Sequence, residues 1–148
     1  MSVPASTMKE PVDAAASDSI RRHSRSFSFA SRLLPTEKRG DVERLYAWCR
    51  WCDDGVDAAA SPADAAAFVE RATADLHLIA DGHDPVANES WWLATLVHKY
   101  DLSLAAAASL LEGMQSDLVP AADFSEDDLL RYCFQVAGAV GVLMCPVL

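Results

Sequence analysis

VERLYAWCRWCDDGVD, residues 42–57, carries two helical stripes at once. Val42, Leu45, Cys49, Cys52 and Val56 recur at the spacing of a helix facing a core. At ~100° per residue, Arg50, Asp53 and Asp57 fall within a few tens of degrees of Tyr46, so these four form a second, polar stripe along or just beside the apolar one. Asp53 and Asp57 are therefore expected to point inward, one turn apart. An unpaired buried carboxylate is costly, and two side by side repel until a cation arrives. A hard divalent ion that takes oxygen ligands and shares its remaining positions with water and phosphate suits such a pair, with Mg²⁺ as the first choice.

Arg50 stands one turn before Asp53 and Asp54 and admits two readings. It could be an ordinary helical ion-pair donor, or a planar fork beside a metal-bound diphosphate. The acidic run could likewise be a solvated helix end. Against that, acids at a helix C-terminus oppose the macrodipole, so Asp53, Asp54 and Asp57 are not there for helix stability.

The remaining chain reads as helices joined by short connections, with no strand-type alternation and no internal repeat, so the fold is expected to be all-α with about six helices. Residues 1–16 are expected to be a flexible leader, and 17–148 the folded part. A first helix is expected from Ser17 or Asp18 to Leu34, stopped by Pro35. Thr36 is expected to cap the helix described above. Ser61-Pro62 then opens a helix ending before Gly82, with Phe68, Ala72, Leu76 and Ile79 buried and Arg71 and Asp75 as a surface pair. Ser90 is expected to cap a helix to Tyr100, with one of Trp91 and Trp92 in the core and the other partly exposed. Ser103 caps the next, whose Ala105–Ala108 face allows close approach. Ser125 and Asp128 form a capping box for a last helix reaching towards Cys145, and Asp123 is assigned to the turn before it. Glycines 138 and 141 inside that helix imply that something needs the space.

Composition narrows the function. The 148 residues are 51% hydrophobic and 23% charged, with a net charge of −10 and a pI near 4.6, so electrostatic capture of nucleic acid is not expected. An anionic ligand must be held by a few local cations and metal ions against the overall field. The N-terminus has no basic region followed by an apolar run, and the apolar stretch near the C-terminus is broken by Gln135 and Pro146. The expected location is the cytoplasm, with peripheral membrane contact left open. Cys49 and Cys52 make a C-x-x-C, but no second pair completes a zinc site and mid-helix is the wrong place for a redox motif, so both are read as core. The four histidines form no ligand pair.

Three segments together carry a resemblance. HSRSFSFASRLLP (residues 23–35), LYAWCRWCDDGVD (45–57) and YCFQVAGAVG (132–141) resemble, in order and spacing, signatures of the squalene/phytoene synthase family of head-to-head prenyltransferases. The resemblance implies a helical bundle of the isoprenoid synthase type, here incomplete. It implies that Asp53 and Asp57 hold Mg²⁺ (Mn²⁺ as the alternative) on a prenyl diphosphate, with Arg50 and Tyr46 orienting that group. Ser24, Ser26 and Phe27 would line the diphosphate end of the cavity, Asp117 would face the metal cluster, and Tyr132, Val136 and Ala137 would form the cavity wall. The implied reaction condenses two prenyl diphosphates through a cyclopropyl intermediate that ionises and rearranges. The phytoene-forming version on geranylgeranyl diphosphate is preferred to the squalene-forming one on farnesyl diphosphate, which alone would need NADPH.

Family members run to about twice this length, and their second aspartate-rich helix has no counterpart here. The chain is therefore expected to be the N-terminal half of a larger enzyme, nearly inactive alone, with a natural truncation as the alternative. The sequence MCPVL at its end is expected to expose an apolar surface. A non-catalytic helical partner and a prenyl-lipid binding module without chemistry are the rival readings.

Overall fold

A computed structural model describes residues 9–118 and 125–148, apart from the side chains of residues 9–13 and Ser26. The expected turn at Asp123 and residues 1–8 of the expected leader lie outside the described residues. The helices are α1 (Lys9–His23), α2 (Arg25–Ser31), α3 (Thr36–Asp57), α4 (Pro62–Ala80), α5 (Ser90–Tyr100), α6 (Leu104–Ser116), α7 (Glu126–Cys133) and α8 (Ala139–Met144). No strand occurs among the described residues.

α3 is the axis of the bundle, contacting α1, α4, α5, α6 and α8. Its Val42, Leu45, Trp48, Cys52 and Val56 are buried, meeting Leu76 of α4, Leu93 and Leu96 of α5, and Leu110 and Leu111 of α6 in one core. Two glycines set how closely the helices lie. A Cβ on Gly55 of α3 would fall 2.2 Å from the Phe68 ring of α4, and that ring also packs edge-on against Trp51 with centroids 4.8 Å apart. A Cβ on Gly113 of α6 would meet Gln135 Cβ at 2.7 Å and Val136 Cγ1 at 3.0 Å. At both points the helices approach as only a glycine allows.

The local signals behave as expected where the cap is built by neighbours in sequence. The hydroxyls of Ser61, Ser103 and Ser125 each accept from the backbone N–H three residues on, and Asp128 completes the reciprocal box with Ser125. Gly82, at φ +75°, closes α4, with its own N–H bonded to Ile79 O and that of His83 to Leu78 O. Trp92 is buried and Trp91 half-buried.

Elsewhere the structure corrects the reading. The helix expected over residues 17–34 starts at Lys9 and divides at Ser24, whose backbone is extended (φ −146°, ψ 102°) and whose hydroxyl caps α2 by accepting from Phe27 N–H at 3.2 Å. Residues 9–16, read as leader, are helical because Ala16 and Ile20 pack into the bundle and Ser17 donates a hydrogen bond to Glu43 of α3. Pro35, not Thr36, is the N-cap of α3, and Glu89, not Ser90, precedes α5. Asp75 does not pair with Arg71 on the surface. It is 3% exposed and accepts from Val86 N–H at 2.7 Å and Ala87 N–H at 3.0 Å, so it fastens the loop after α4. α7 runs into α8 through a π-helical stretch, Phe134–Gly138, which accommodates an extra residue opposite Gly113. In the MCPVL segment Met144 and Val147 are buried, so only part of it is exposed.

Candidate functional site

The C-terminal half of α3 presents Tyr46, Arg50, Asp53 and Asp57 on one edge, as the spacing requires. The edge is open rather than buried. Asp53 has 42% of its side chain exposed and Asp57 is exposed, which corrects the expectation that both point into the interior. The reason lies in the helical angle: each acid follows a buried residue, Cys52 or Val56, by ~100°, which turns it to the flank of the core rather than into it.

Arg50 organises this edge. Its Nη1 donates to Asp53 at 2.7 Å and its Nη2 to Asp54 at 2.5 Å, the ion pairs that the helical reading of Arg50 allowed, so Asp54 competes for the fork. A further donor, Nε–H, is buried and has no hydrogen-bond partner among the described residues. Such a donor is expensive to leave unmade.

Around Asp53 the charges conflict. Partial burial raises its pKa, the Arg50 guanidinium opposes that, and Asp57, Asp54 and Asp117 push it up again; the net direction is upward. The influence of Asp117 shows that the end of α6 lies near the α3 edge. Tyr132 of α7 belongs to the same group, since its hydrogen bond with Asp117 pushes its hydroxyl up to about 12, with a smaller push from Asp53. Tyr46 is also raised, chiefly by burial and then by Asp54 and Asp53 against the pull of Arg50. A single added cation would relieve all of these repulsions.

On the other side, Phe27 of α2 stacks on Tyr46 with centroids 5.4 Å apart and planes at 27°. The hydroxyl of Ser24 is used as a cap through its lone pair, which leaves its O–H as a donor. The side chain of Ser26 lies outside the described residues. Val136, half-buried, and Ala137, exposed, sit in the π-helical stretch. Thus Phe27, Tyr46, Arg50 and Asp53 are linked by direct contact or charge, and Asp57, Asp117 and Tyr132 by their effect on Asp53 or by the Asp117 hydrogen bond. Val136 and Ala137 follow Tyr132 by one turn.

A divalent ion fits this donor set. The donors are carboxylate oxygens whose mutual repulsion a positive charge would relieve, with the Arg50 guanidinium beside them. Among the described residues no group of three or more histidine, cysteine or acidic side chains stands ready to hold a metal alone. Two carboxylates with water and phosphate oxygens are the ordinary complement of Mg²⁺. The cysteines of the C-x-x-C do not contribute: burial pushes the Cys49 thiol up to about 12 and raises that of Cys52 as well.

A second charged cluster was not recognised in the sequence. Asp41, at the other end of α3, is 1% exposed and accepts from Lys99 Nζ, Tyr100 Oη and Arg44 Nη1, each at 2.6 Å. The available signal was its place one turn before Leu45 on the buried stripe, where a lone acid needs partners.

Comparison with known proteins gives a consistent result. The squalene/phytoene synthase family profile matches residues 20–148. A 15-cis-phytoene synthase from a Paracoccus species is 35% identical over 138 residues, covering 88% of this chain and 45% of the relative. A phytoene synthase from Thermus thermophilus is 36% identical over 132 residues, covering 86% and 43%. The crystal structure of a dehydrosqualene synthase in complex with ligand superposes with a TM-score of 0.81 at 26% identity, covering 93% of this chain and 47% of that one. The chain thus spans less than half the length of these relatives.

Proposed function

The chain belongs to the squalene/phytoene synthase family, and from that premise we propose that it contributes the diphosphate-gripping part of a head-to-head prenyltransferase of the phytoene-forming type. The observation that carries the reading is the α3 edge, where crowded carboxylates adjoin an unpartnered arginine N–H. Asp53 and Asp57 would hold Mg²⁺, which when bound supplies the positive charge that a departing diphosphate needs. Arg50 would turn part of its guanidinium fork to a phosphate oxygen, and the O–H groups of Ser24 and Tyr46 would orient the same group. Phe27, Tyr132, Val136 and Ala137 would keep water from the allylic carbons while the diphosphate leaves.

The names of the relatives support geranylgeranyl diphosphate as substrate, and the likeness to a dehydrosqualene synthase supports farnesyl diphosphate as the second reading. This 148-residue chain alone is expected to bind a prenyl diphosphate but to turn it over little or not at all. Calorimetric titration with geranylgeranyl diphosphate, with and without Mg²⁺, tests the reading, followed by analysis of extracted products. Binding that requires Mg²⁺ and is lost in Asp53→Ala supports it. Mg²⁺ binding unchanged in Asp53→Ala points to a helical partner without chemistry, and rapid product formation by the chain alone contradicts the expectation of inactivity.

A further inference from the structure

We propose that the outward stripe of α2 and the turn after it, formed by Arg25, Phe29, Arg32 and Leu33, is a contact surface for an anionic lipid bilayer. The side chains share one side because their positions recur at helical spacing along Arg25–Ser31 and the turn that follows. Ser31 is buried on the opposite side and Ser28 on the flank. Phe29 is 67% and Leu33 77% exposed. Two large apolar side chains held in water one turn apart are a cost to an isolated soluble surface.

The charge around them is the second observation. The chain carries −10 overall, yet Arg21, Arg22, Arg25, Arg32, Lys38 and Arg39 put six of its twelve cationic side chains into residues 21–39, against the single acid Glu37. Several of these are engaged: Arg22 pairs with Asp18, Arg21 bonds Ser17 O, and Arg39 holds the carbonyls of Ser31, Arg32 and Leu34. Arg25 and Arg32, which flank Phe29, pair with no carboxylate among the described residues. Arginine heads at the level of lipid phosphates, with an aromatic and an aliphatic side chain below them, are the usual elements of an interfacial anchor. No helix among the described residues is long and apolar enough to cross a membrane.

Another exposed apolar patch makes the contrast. Leu129, Leu130 and Phe134 are also exposed, but α7 begins with Glu126, Asp127 and Asp128, and anionic headgroups would repel that end. The arginine-flanked patch is complementary in charge to such a surface and the acid-flanked one is not. α2 also carries Phe27, whose ring is turned inward onto Tyr46, so bilayer and candidate site would lie on opposite sides of one short helix. The lipid contact stands on the patch alone; its use in delivering prenyl diphosphates rests on the reading above.

Vesicle flotation of the 148-residue chain, without any prenyl ligand, tests the contact. The chain should float with phosphatidylcholine vesicles containing about one third phosphatidylglycerol, bind pure phosphatidylcholine about tenfold more weakly, and be released at high salt. Arg25→Gln and Arg32→Gln should each weaken the anionic binding about fivefold. Phe29→Ser with Leu33→Ser should abolish it while the circular dichroism spectrum stays helical, and should the double variant misfold, the arginine variants still decide. Equal binding to both vesicle types, no binding to either, or loss confined to Leu129→Ser with Phe134→Ser would overturn the proposal. Any of those failures would leave the diphosphate reading untouched, because no prenyl group enters the measurement.

Discussion

Asp41 and Asp53 stand on the same helix, three turns apart, each with an arginine three residues away at 2.6 and 2.7 Å, yet their surroundings drive them in opposite directions. Asp41 is buried, and although burial alone would raise its pKa, hydrogen bonds from Lys99 and Tyr100 and the charges of Lys99 and Arg44 hold it below the usual carboxylate range. Asp53 is half-open, and its neighbours Asp57, Asp54 and Asp117 raise it further than Arg50 can lower it. A buried acid held by three donors is a fastener. An accessible acid crowded by like charge, beside an arginine, is the setting in which the proposed reading puts a cation.

That contrast can be broken most forcefully at its structural end. Asp41→Ala should lower stability by about 3 kcal/mol, because it removes three charge-assisted hydrogen bonds, two joining α3 to α5 and one within α3, and leaves the Tyr100 hydroxyl without its acceptor. Urea unfolding followed by tryptophan fluorescence measures this, and a loss under about 1 kcal/mol would class Asp41 with ordinary surface acids. The same contact sets an acid limit. Asp41 has a depressed folded pKa, so its contribution is complete above the unfolded value near ~3.9 and disappears as pH falls through the folded one. Unfolding midpoints measured from pH 6 down should therefore drop more steeply below about pH 4 in the wild type than in Asp41→Ala.

Gly113→Ala comes next. The added methyl should force α6 away from the π-helical stretch and cost about 1–2 kcal/mol, after allowing about 1 kcal/mol for the better helix propensity of alanine. Because that stretch follows Tyr132, the variant should also loosen the Tyr132–Asp117 hydrogen bond, readable as a fall in the tyrosine pKa by absorbance titration. The smallest effect belongs to Asp53→Asn. Arg50 keeps Asp54, and one of several crowded charges is removed, so stability should change by under about 0.5 kcal/mol, in the stabilising direction. Sign matters here: a raised folded pKa means that ionised Asp53 costs stability as pH rises, the reverse of Asp41.

These two acids also show what could be read without coordinates. The helical spacing that puts Tyr46, Arg50, Asp53 and Asp57 on one edge is a property of sequence alone, as are the caps at Ser61, Ser103 and Ser125, because each depends on residues within one turn. How deep that edge lies depends on which helices cover it, and spacing could not separate a flank from an interior. The break at Ser24 follows from α1 and α2 both packing against α3, and the π-helical stretch from the approach of Gly113, both of them distant in sequence. Asp75 looked like half of a surface pair because Arg71 stands four residues before it, whereas its true partners are backbone groups eleven and twelve residues on. Lys99 and Tyr100 offered no sign that their partner was Asp41, fifty-eight and fifty-nine residues earlier.

The most direct test of the α3 edge as a cation-dependent diphosphate site is a carboxyl-carbon NMR titration of the aspartates with and without Mg²⁺. Asp53 should titrate above the ordinary aspartate range in the absence of the ion and fall on its addition, while Asp41 stays low and does not move. If Asp53 titrates like an isolated aspartate, or if Mg²⁺ leaves it unchanged, the edge is not the site described.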